Sequence, residues 1–175
     1  MITEFQFGGL LDMREYNTLD DFELDGKTVL LRVDFNMPLD KESLEILDKT
    51  RIERVLPTIK ELTENNAKTV ILAHQGRKES WDFINLEKHA KALSGLINKE
   101  VRFVDDIYKD KAKTEIKNMK KGDIIILDNV RKLDYETDKK TAEEHSQTDF
   151  IKNLYPLADI FVNDAFAAAH RAQCS

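Results

Sequence analysis

The feature that most constrains the fold of this chain is a repeated change in its hydrophobic period. Apolar runs of strand length alternate with longer segments in which apolar residues recur at the spacing of a helix face. The predicted strands are 28–35, 68–74, 101–106, 123–129 and 158–164, and the predicted helices are 51–66, 86–98, 107–119 and 142–154. Because alternating strands and helices form parallel sheets covered on both faces, the pattern predicts an α/β, Rossmann-like, three-layer domain.

The first predicted helix contains a proline within its apolar pattern. Ile52, Val55 and Ile59 fall on one helical face, and Pro57 lies between them in the sequence. Because proline removes a backbone donor and clashes with the preceding turn, we expect the helix either to kink at Pro57 or to begin close to it.

The bulk composition is typical of a single globular domain in a reducing compartment. A chain of 175 residues with 41% hydrophobic content can bury a core, and no run approaches the roughly 20 apolar residues of a membrane span. Cys174 is the only cysteine, which excludes an internal disulfide, and we expect an incidental thiol. Residues 1–12 carry no secretory signal and look like a tag or a disordered extension, so a cytoplasmic domain is predicted over 13–175.

The overall charge of the chain is negative, which bears on its ligands. A net charge of -6 argues against nonspecific binding of nucleic acid, because that binding needs a basic surface. A small anion is not excluded, since remote charges are screened over about 8 Å at physiological salt. One arginine at ~4 Å, at an effective dielectric constant of about 20, attracts an anion by on the order of 4 kcal/mol before desolvation.

Polar and cationic residues follow the predicted strands at the point where each strand ends. Ligands of open parallel sheets bind beyond the carboxyl ends of the strands, so these residues are candidates for one site. They are Asp34, Asn36, Arg51, His74, Gly76, Arg77, Arg131, His170 and Arg171. Because guanidinium groups bind carboxylate and phosphate in bidentate geometry, the edge is predicted to bind a small anion. Position alone leaves open that these arginines are solvated surface cations.

Other residues with chemical potential give weaker signals. His89 and His145 lie on predicted helices beside charged residues, and we expect both to be solvated. No spacing of His, Asp and Glu resembles a metal site. Neither a P-loop nor a G-x-G-x-x-G turn is present, so any nucleotide site would have to be built differently.

Five stretches at this edge resemble one known family. They are LLRVDFNMP (30–38), the TRI around Arg51, AHQGRK (73–78), LDNVR (127–131) and VNDAFAAAHRAQCS (162–175). Together they resemble the N-terminal domain of phosphoglycerate kinase, in the order and spacing of that family, from about residue 20 to the chain end. Gln75, Lys78 and Ala167 stand where the family often has leucine, proline and glycine, which resembles its archaeal branch.

The resemblance implies a substrate and a set of contacts. The domain is expected to bind 3-phosphoglycerate or 1,3-bisphosphoglycerate, with Arg51 as the catalytic residue that stabilises the phosphoryl group during transfer. Phosphoryl transfer needs mainly positioning and charge neutralisation, which fixed guanidinium groups supply. The implied substrate contacts are Asp34, Phe35, Asn36, Arg51, His74, Gln75, Gly76, Arg77, Arg131, His170 and Arg171.

The resemblance also implies a partner domain. Full members of the family are about twice as long, and their C-terminal domain binds Mg-ATP or Mg-ADP before a hinge closes the two lobes. This chain is therefore expected to be a single lobe that holds no nucleotide or metal, contacts neither membrane nor nucleic acid, and does not catalyse alone.

Two other interpretations come from different classes of protein. A receiver-like signalling module would need an acidic pair after the first strand and a lysine after the fifth. Asp34 stands alone after its strand, and Asn163-Asp164 is followed by no lysine. A noncatalytic anion-binding α/β module would need only the arginines of the sheet edge. A second domain encoded beyond Ser175 would favour the kinase.

Overall fold

The computed structural model describes residues 16–165 and 174–175, within which five strands form one parallel sheet. The predicted extension 1–12 and the candidates His170 and Arg171 lie outside the described residues. The strands are β1 (Thr28–Val33), β2 (Lys68–Leu72), β3 (Val101–Val104), β4 (Ile124–Leu127) and β5 (Ile160–Asp164). Their order is β3-β4-β2-β1-β5, and every neighbouring pair is parallel, which confirms the predicted α/β fold.

Helices cover both faces of this sheet. They are α1 (Thr50–Glu64), α2 (Glu87–Ile97), α3 (Asp110–Lys117), α4 (Ala142–Ser146) and α5 (Asp149–Leu154), with 3-10 turns at Leu19–Asp21, Val130–Lys132 and Tyr155–Leu157. α1 begins at Thr50 and continues through Pro57, so the prediction of a start near the proline is wrong. No helix among the described residues is long and apolar enough to cross a membrane.

The predicted helix 142–154 is divided into α4 and α5. Thr141 caps α4 in a capping box, in which Glu144 N donates to Thr141 Oγ1 at 3.2 Å. Thr148 has extended backbone angles, and its hydroxyl accepts from Ile151 N at 3.5 Å at the start of α5. A residue that caps a helix is itself not helical, so Thr148 divides the predicted helix in two.

Alternate residues of the central strands supply two separate cores. Val29 and Leu31 of β1 pack with Ile59 of α1 and Leu93 of α2 on one face. On the other face Leu30 packs with side chains of β2, β4, α3 and α5. Because successive side chains of a strand point to opposite faces, β1 is buried along its whole length and fixes the position of the loop that follows it.

Candidate functional site

The loops at the carboxyl ends of β1, β2 and β4 form the candidate site. β1 pairs with β2, and β2 pairs with β4, so the residues that follow these three strands lie next to one another. The structured strands end earlier than predicted, at Val33, Leu72 and Leu127. Asp34, His74 and Asn129 therefore lie in loops beyond the ends of the strands.

An ion pair joins the start of α1 to the end of β1. The Arg51 guanidinium donates from NH1 to Asp34 Oδ2, and the side chains are 44% and 22% exposed. Asp34 Oδ1 accepts from Asn36 N at 3.1 Å, which fixes the carboxylate. A depression lined by Arg51, Arg54 and Asp164 opens beside this pair. The Arg51 guanidinium is thus oriented by Asp34 while it stays accessible to a ligand.

The backbone of Gly76 ties three loops together. Gly76 N donates to Asn36 Oδ1 at 2.8 Å, and Gly76 O accepts from Arg131 NH1 at 2.6 Å. The residue has a φ of +68°, and a Cβ atom added there would lie 2.5 Å from Asp82 O. Glycine is required at this position because an L side chain would meet both backbone strain and a collision.

A buried asparagine fixes the loop that carries Arg131. Asn129 Nδ2 donates to Gln75 O at 2.7 Å and to Ile84 O at 2.8 Å. Its Oδ1 accepts from Arg131 N at 3.1 Å. Asn129 lies within the LDNVR stretch but was not predicted as a site residue. The signal that could have found it is its position as a polar residue close after a buried strand.

His74 stands among cations at the centre of the edge. The ring is half-buried, and its Nδ1 lies 3.2 Å from Arg32 NH2. Burial, followed by the positive charges of Arg131 and Arg32, holds the pKa of His74 well below its ordinary value, with Asp34 opposing. His74 is therefore neutral near pH 7 and adds a polar group to the site without adding charge.

Other predicted contacts do not join the cluster through their side chains. Phe35 and Gln75 are 0% exposed, so their side chains face the core and not the edge. The Gln75 side-chain amide forms two hydrogen bonds to the Met37 backbone. It accepts from Met37 N at 2.8 Å and donates to Met37 O at 3.0 Å. Arg77 is exposed, and no side chain in the described part of the chain pairs with its guanidinium.

The expectation of solvated histidines on the helices is wrong for both residues. His89 is 0% exposed because it shares a helix face with the buried Leu86 and Leu93, and its Nε2 lies 3.1 Å from Gln75 Oε1. His145 is 3% exposed. Cys174 is also buried, with its sulfur 3.3 Å from Thr148 Oγ1, so its side chain packs in the core on the face of α3 and α5.

Comparisons with known proteins point to one family. The sequence model of the phosphoglycerate kinase family matches residues 19–175. The phosphoglycerate kinase of Methanococcus maripaludis is 52% identical over 165 residues, and that of Methanobacterium bryantii is 49% identical over 160 residues. These alignments cover 90% and 91% of this chain but 40% and 39% of the relatives, so the chain spans about two fifths of their length.

Solved structures give the same result. The phosphoglycerate kinase from Pyrococcus horikoshii OT3 matches with a TM-score of 0.85 at 42% identity, over 89% of this chain and 38% of that one. The phosphoglycerate kinase from Coxiella burnetii matches with a TM-score of 0.68 at 35% identity, over 90% and 37% of the two chains. The matched curated relatives are mostly archaeal, as the local motifs predicted. The chain therefore belongs to the phosphoglycerate kinase family.

Proposed function

We propose that this domain binds 3-phosphoglycerate or 1,3-bisphosphoglycerate as one lobe of a kinase that transfers a phosphoryl group reversibly between 1,3-bisphosphoglycerate and ADP. The observation that carries the proposal is the convergence of Arg51, Arg131 and a neutral His74 on the loops at one sheet edge. Both ligands are small phosphorylated acids, which guanidinium groups bind in bidentate geometry. Membership of the family supports the same ligand class.

Arg51 is the proposed catalytic residue. It is the second residue of α1, where the helix dipole adds partial positive charge, and it is held by Asp34 through one nitrogen. An exposed ion pair contributes about 0–1 kcal/mol, so exchanging Asp34 for a phosphoryl oxygen costs little. Arg51 would neutralise charge on the transferring group, and the released Asp34 would accept a hydrogen bond from a substrate hydroxyl.

The remaining proposed contacts have different support. Asn36, His74, Arg131 and the Gly76 backbone are placed together by hydrogen bonds and electrostatics. Arg77 is proposed because it is exposed beside Gly76. His170 and Arg171 are proposed on the resemblance alone. Phe35 and Gln75 are proposed to support the loops, because their side chains are buried.

The nucleotide is proposed to bind outside this chain. The chain spans only 38% of the Pyrococcus horikoshii structure, and the rest of such a protein would supply the C-terminal domain that holds Mg-ATP or Mg-ADP. Within residues 16–165 and 174–175 no group of three or more His, Cys, Asp or Glu side chains could hold a metal ion. On this proposal residues 13–175 form the substrate-binding lobe of a cytoplasmic enzyme, and that lobe binds substrate without turning it over.

A titration of the labelled chain with 3-phosphoglycerate tests the proposal. Amide signals of residues 34–36, 74–77 and 131 are expected to shift with saturation. Arg131→Met should weaken the affinity about tenfold, the size expected for one hydrogen bond to a charged group. Arg102→Met is the matched control, because its guanidinium on β3 bonds to Glu115 and lies near Asp123, away from this edge.

Sulfate at equal ionic strength separates the kinase lobe from a noncatalytic anion-binding module. A substrate lobe should bind 3-phosphoglycerate more tightly than sulfate, because it recognises carboxylate and phosphate together. Equal affinities would favour the noncatalytic module, and shifts confined to other parts of the sheet would refute the site. ATP formation from 1,3-bisphosphoglycerate and ADP by the chain alone would contradict the proposed single lobe.

A further inference from the structure

A charged side chain lies inside the sheet directly beneath the candidate site. Arg32 on β1 is 1% exposed and stands between the apolar residues Leu31 and Val33. A buried charge is costly unless every donor is satisfied, so the bonds of this guanidinium indicate what it does. NH1 donates to Val33 O, Nε donates to Ser175 Oγ at 2.9 Å, and NH2 lies 3.2 Å from His74 Nδ1.

The other side of this network is a buried carboxylate. Glu136 is 1% exposed and accepts from Ser175 N at 3.0 Å and from Ser175 Oγ. Ser175 Oγ thus accepts from Arg32 and donates to Glu136. The three residues form a chain of hydrogen bonds between opposite charges, which stabilises the position of the Arg32 guanidinium under the loop of His74.

The contact between Arg32 and His74 determines the tautomer of the histidine. A guanidinium has five donors and no acceptor, so His74 Nδ1 can meet Arg32 NH2 only with its lone pair. A neutral imidazole with a lone pair on Nδ1 carries its proton on Nε2. His74 is only half-buried, and its Nε2 bonds to no other residue in the described part of the chain.

We propose that Arg32 is a positioning residue that holds His74 as the Nε2–H tautomer, so that His74 donates a hydrogen bond to an anionic oxygen of the ligand. Without Arg32 the ring would be free to rotate or to change tautomer, and would then present a lone pair to an anion. The charged and titratable groups around the ring are Arg131, Arg32, Asp34 and Arg51. The ligand part of this inference rests on the proposed function, whereas the tautomer part does not.

Nitrogen NMR of the His74 ring in the ligand-free chain tests the tautomer. At pH 7 Nδ1 is expected to give an acceptor-type signal and Nε2 a proton-bearing signal. In Arg32→Met the two signals are expected to move toward the average of both tautomers, and His74 should protonate at a higher pH because one neighbouring positive charge is gone. Arg102→Met, which removes a strand arginine remote from His74, should leave the ring unchanged.

The wild-type spectrum alone can test the tautomer, even if Arg32→Met does not fold. A proton on Nδ1, or a charged ring at pH 7, would overturn the inference while leaving substrate binding intact. If Arg32→Met folds, as shown by an unchanged ring signal of the buried His89, its affinity for 3-phosphoglycerate should be about tenfold weaker than that of the wild type. Unchanged affinity would overturn the positioning role. No binding by the wild type would refute the proposed function and, with it, the ligand contact, whatever the tautomer.

Discussion

Gly76 is the residue on which the site geometry depends most directly. Gly76→Ala would place a Cβ atom 2.5 Å from Asp82 O at a φ of +68°, and both problems concern backbone that cannot move away easily. We expect the free energy of unfolding to fall by about 1–3 kcal/mol in urea denaturation. The bonds from Gly76 to Asn36 and Arg131 should weaken as well, so the affinity for 3-phosphoglycerate should fall.

Gly95→Ala is the matched control for this substitution. Gly95 lies in α2, where a Cβ atom would meet nothing within 4 Å. Alanine in a helix interior is favoured over glycine by about 0.5–1 kcal/mol, so this variant should be more stable than the wild type. A Gly76→Ala variant as stable as the wild type would show that the Gly76 collision is relieved by local movement.

A substitution of Arg51 is expected to change ligand affinity without changing the stability of the fold. Because its ion pair with Asp34 is exposed, Arg51→Met should change the free energy of unfolding by no more than about 0.5 kcal/mol. Calorimetric affinity for 3-phosphoglycerate should nevertheless fall about tenfold, since one charge-assisted contact is lost. Lys60→Met, exposed on the same helix, should change neither quantity. A similar loss of affinity in both variants would indicate a general charge effect.

The residues after β1 illustrate what the sequence could predict about the site. Asp34 and Asn36 face the edge, whereas Phe35 and Met37 are buried, so the strand alternation continues beyond the last ladder bond. Motif resemblance treated Asp34, Phe35 and Asn36 alike, but period two would have separated them. Arg32 was missed for a related reason: a single charged residue inside an apolar run is easily attributed to the strand alone.

At the scale of elements, the break between α4 and α5 depends on one side chain. The hydroxyl of Thr148 accepts from Ile151 N and donates to His145 O at 2.7 Å. Thr148→Ala should lower the free energy of unfolding by about 1–2 kcal/mol, because a helix start and a buried carbonyl lose their partner. Thr148→Ser keeps the hydroxyl and should lose much less, as measured by urea denaturation. Equal losses would assign the effect to the methyl group.

The element boundaries show where sequence periodicity stops being informative. The apolar spacing of residues 142–154 is continuous, and the interruption arises from capping chemistry at Thr148. Similarly, β4 ends earlier than predicted, at the point where the Asn129 side chain bonds to the backbone oxygens of Gln75 and Ile84. Both departures come from side chains that compete for backbone groups, which a hydrophobic pattern does not measure.

For the whole molecule, the parallel sheet followed from the alternation of elements, but its order did not. Periodicity is a local property, whereas β3-β4-β2-β1-β5 is set by which faces the crossing helices cover. The order bears on the candidate site because it places β2 between β4 and β1, so the loop of His74 lies at the centre of the edge, with the loops of Asp34 and Asn129 on either side. The sequence predicted only which strand ends contribute to the site, whereas the strand order shows which loops are neighbours.

The free energy of unfolding is expected to depend on pH through the buried His89. This residue connects α2 to Gln75, which in turn holds the loop after β1 through Met37. Burial lowers the pKa of His89 from 6.5 to about 4 in the folded state. Between these two pKa values the unfolded chain therefore binds more protons than the folded chain. The contribution of neutral His89 to the free energy of unfolding is fully present above pH 6.5 and is lost as the pH falls toward 4. Linkage gives a loss of about 2 kcal/mol between pH 7 and pH 5 from this residue.

Urea denaturation at pH 7 and pH 5 measures this loss. His89→Gln removes the titrating group, so the variant should be less stable than the wild type at pH 7 but should show a smaller decrease on acidification. Carboxylates titrate in both proteins and cancel in the comparison, while His74, whose pKa is also lowered, contributes a decrease of the same sign to both. If the two proteins lose equal stability between pH 7 and pH 5, His89 takes up its proton without unfolding. The acid sensitivity would then come from groups other than His89, such as the carboxylates and His74.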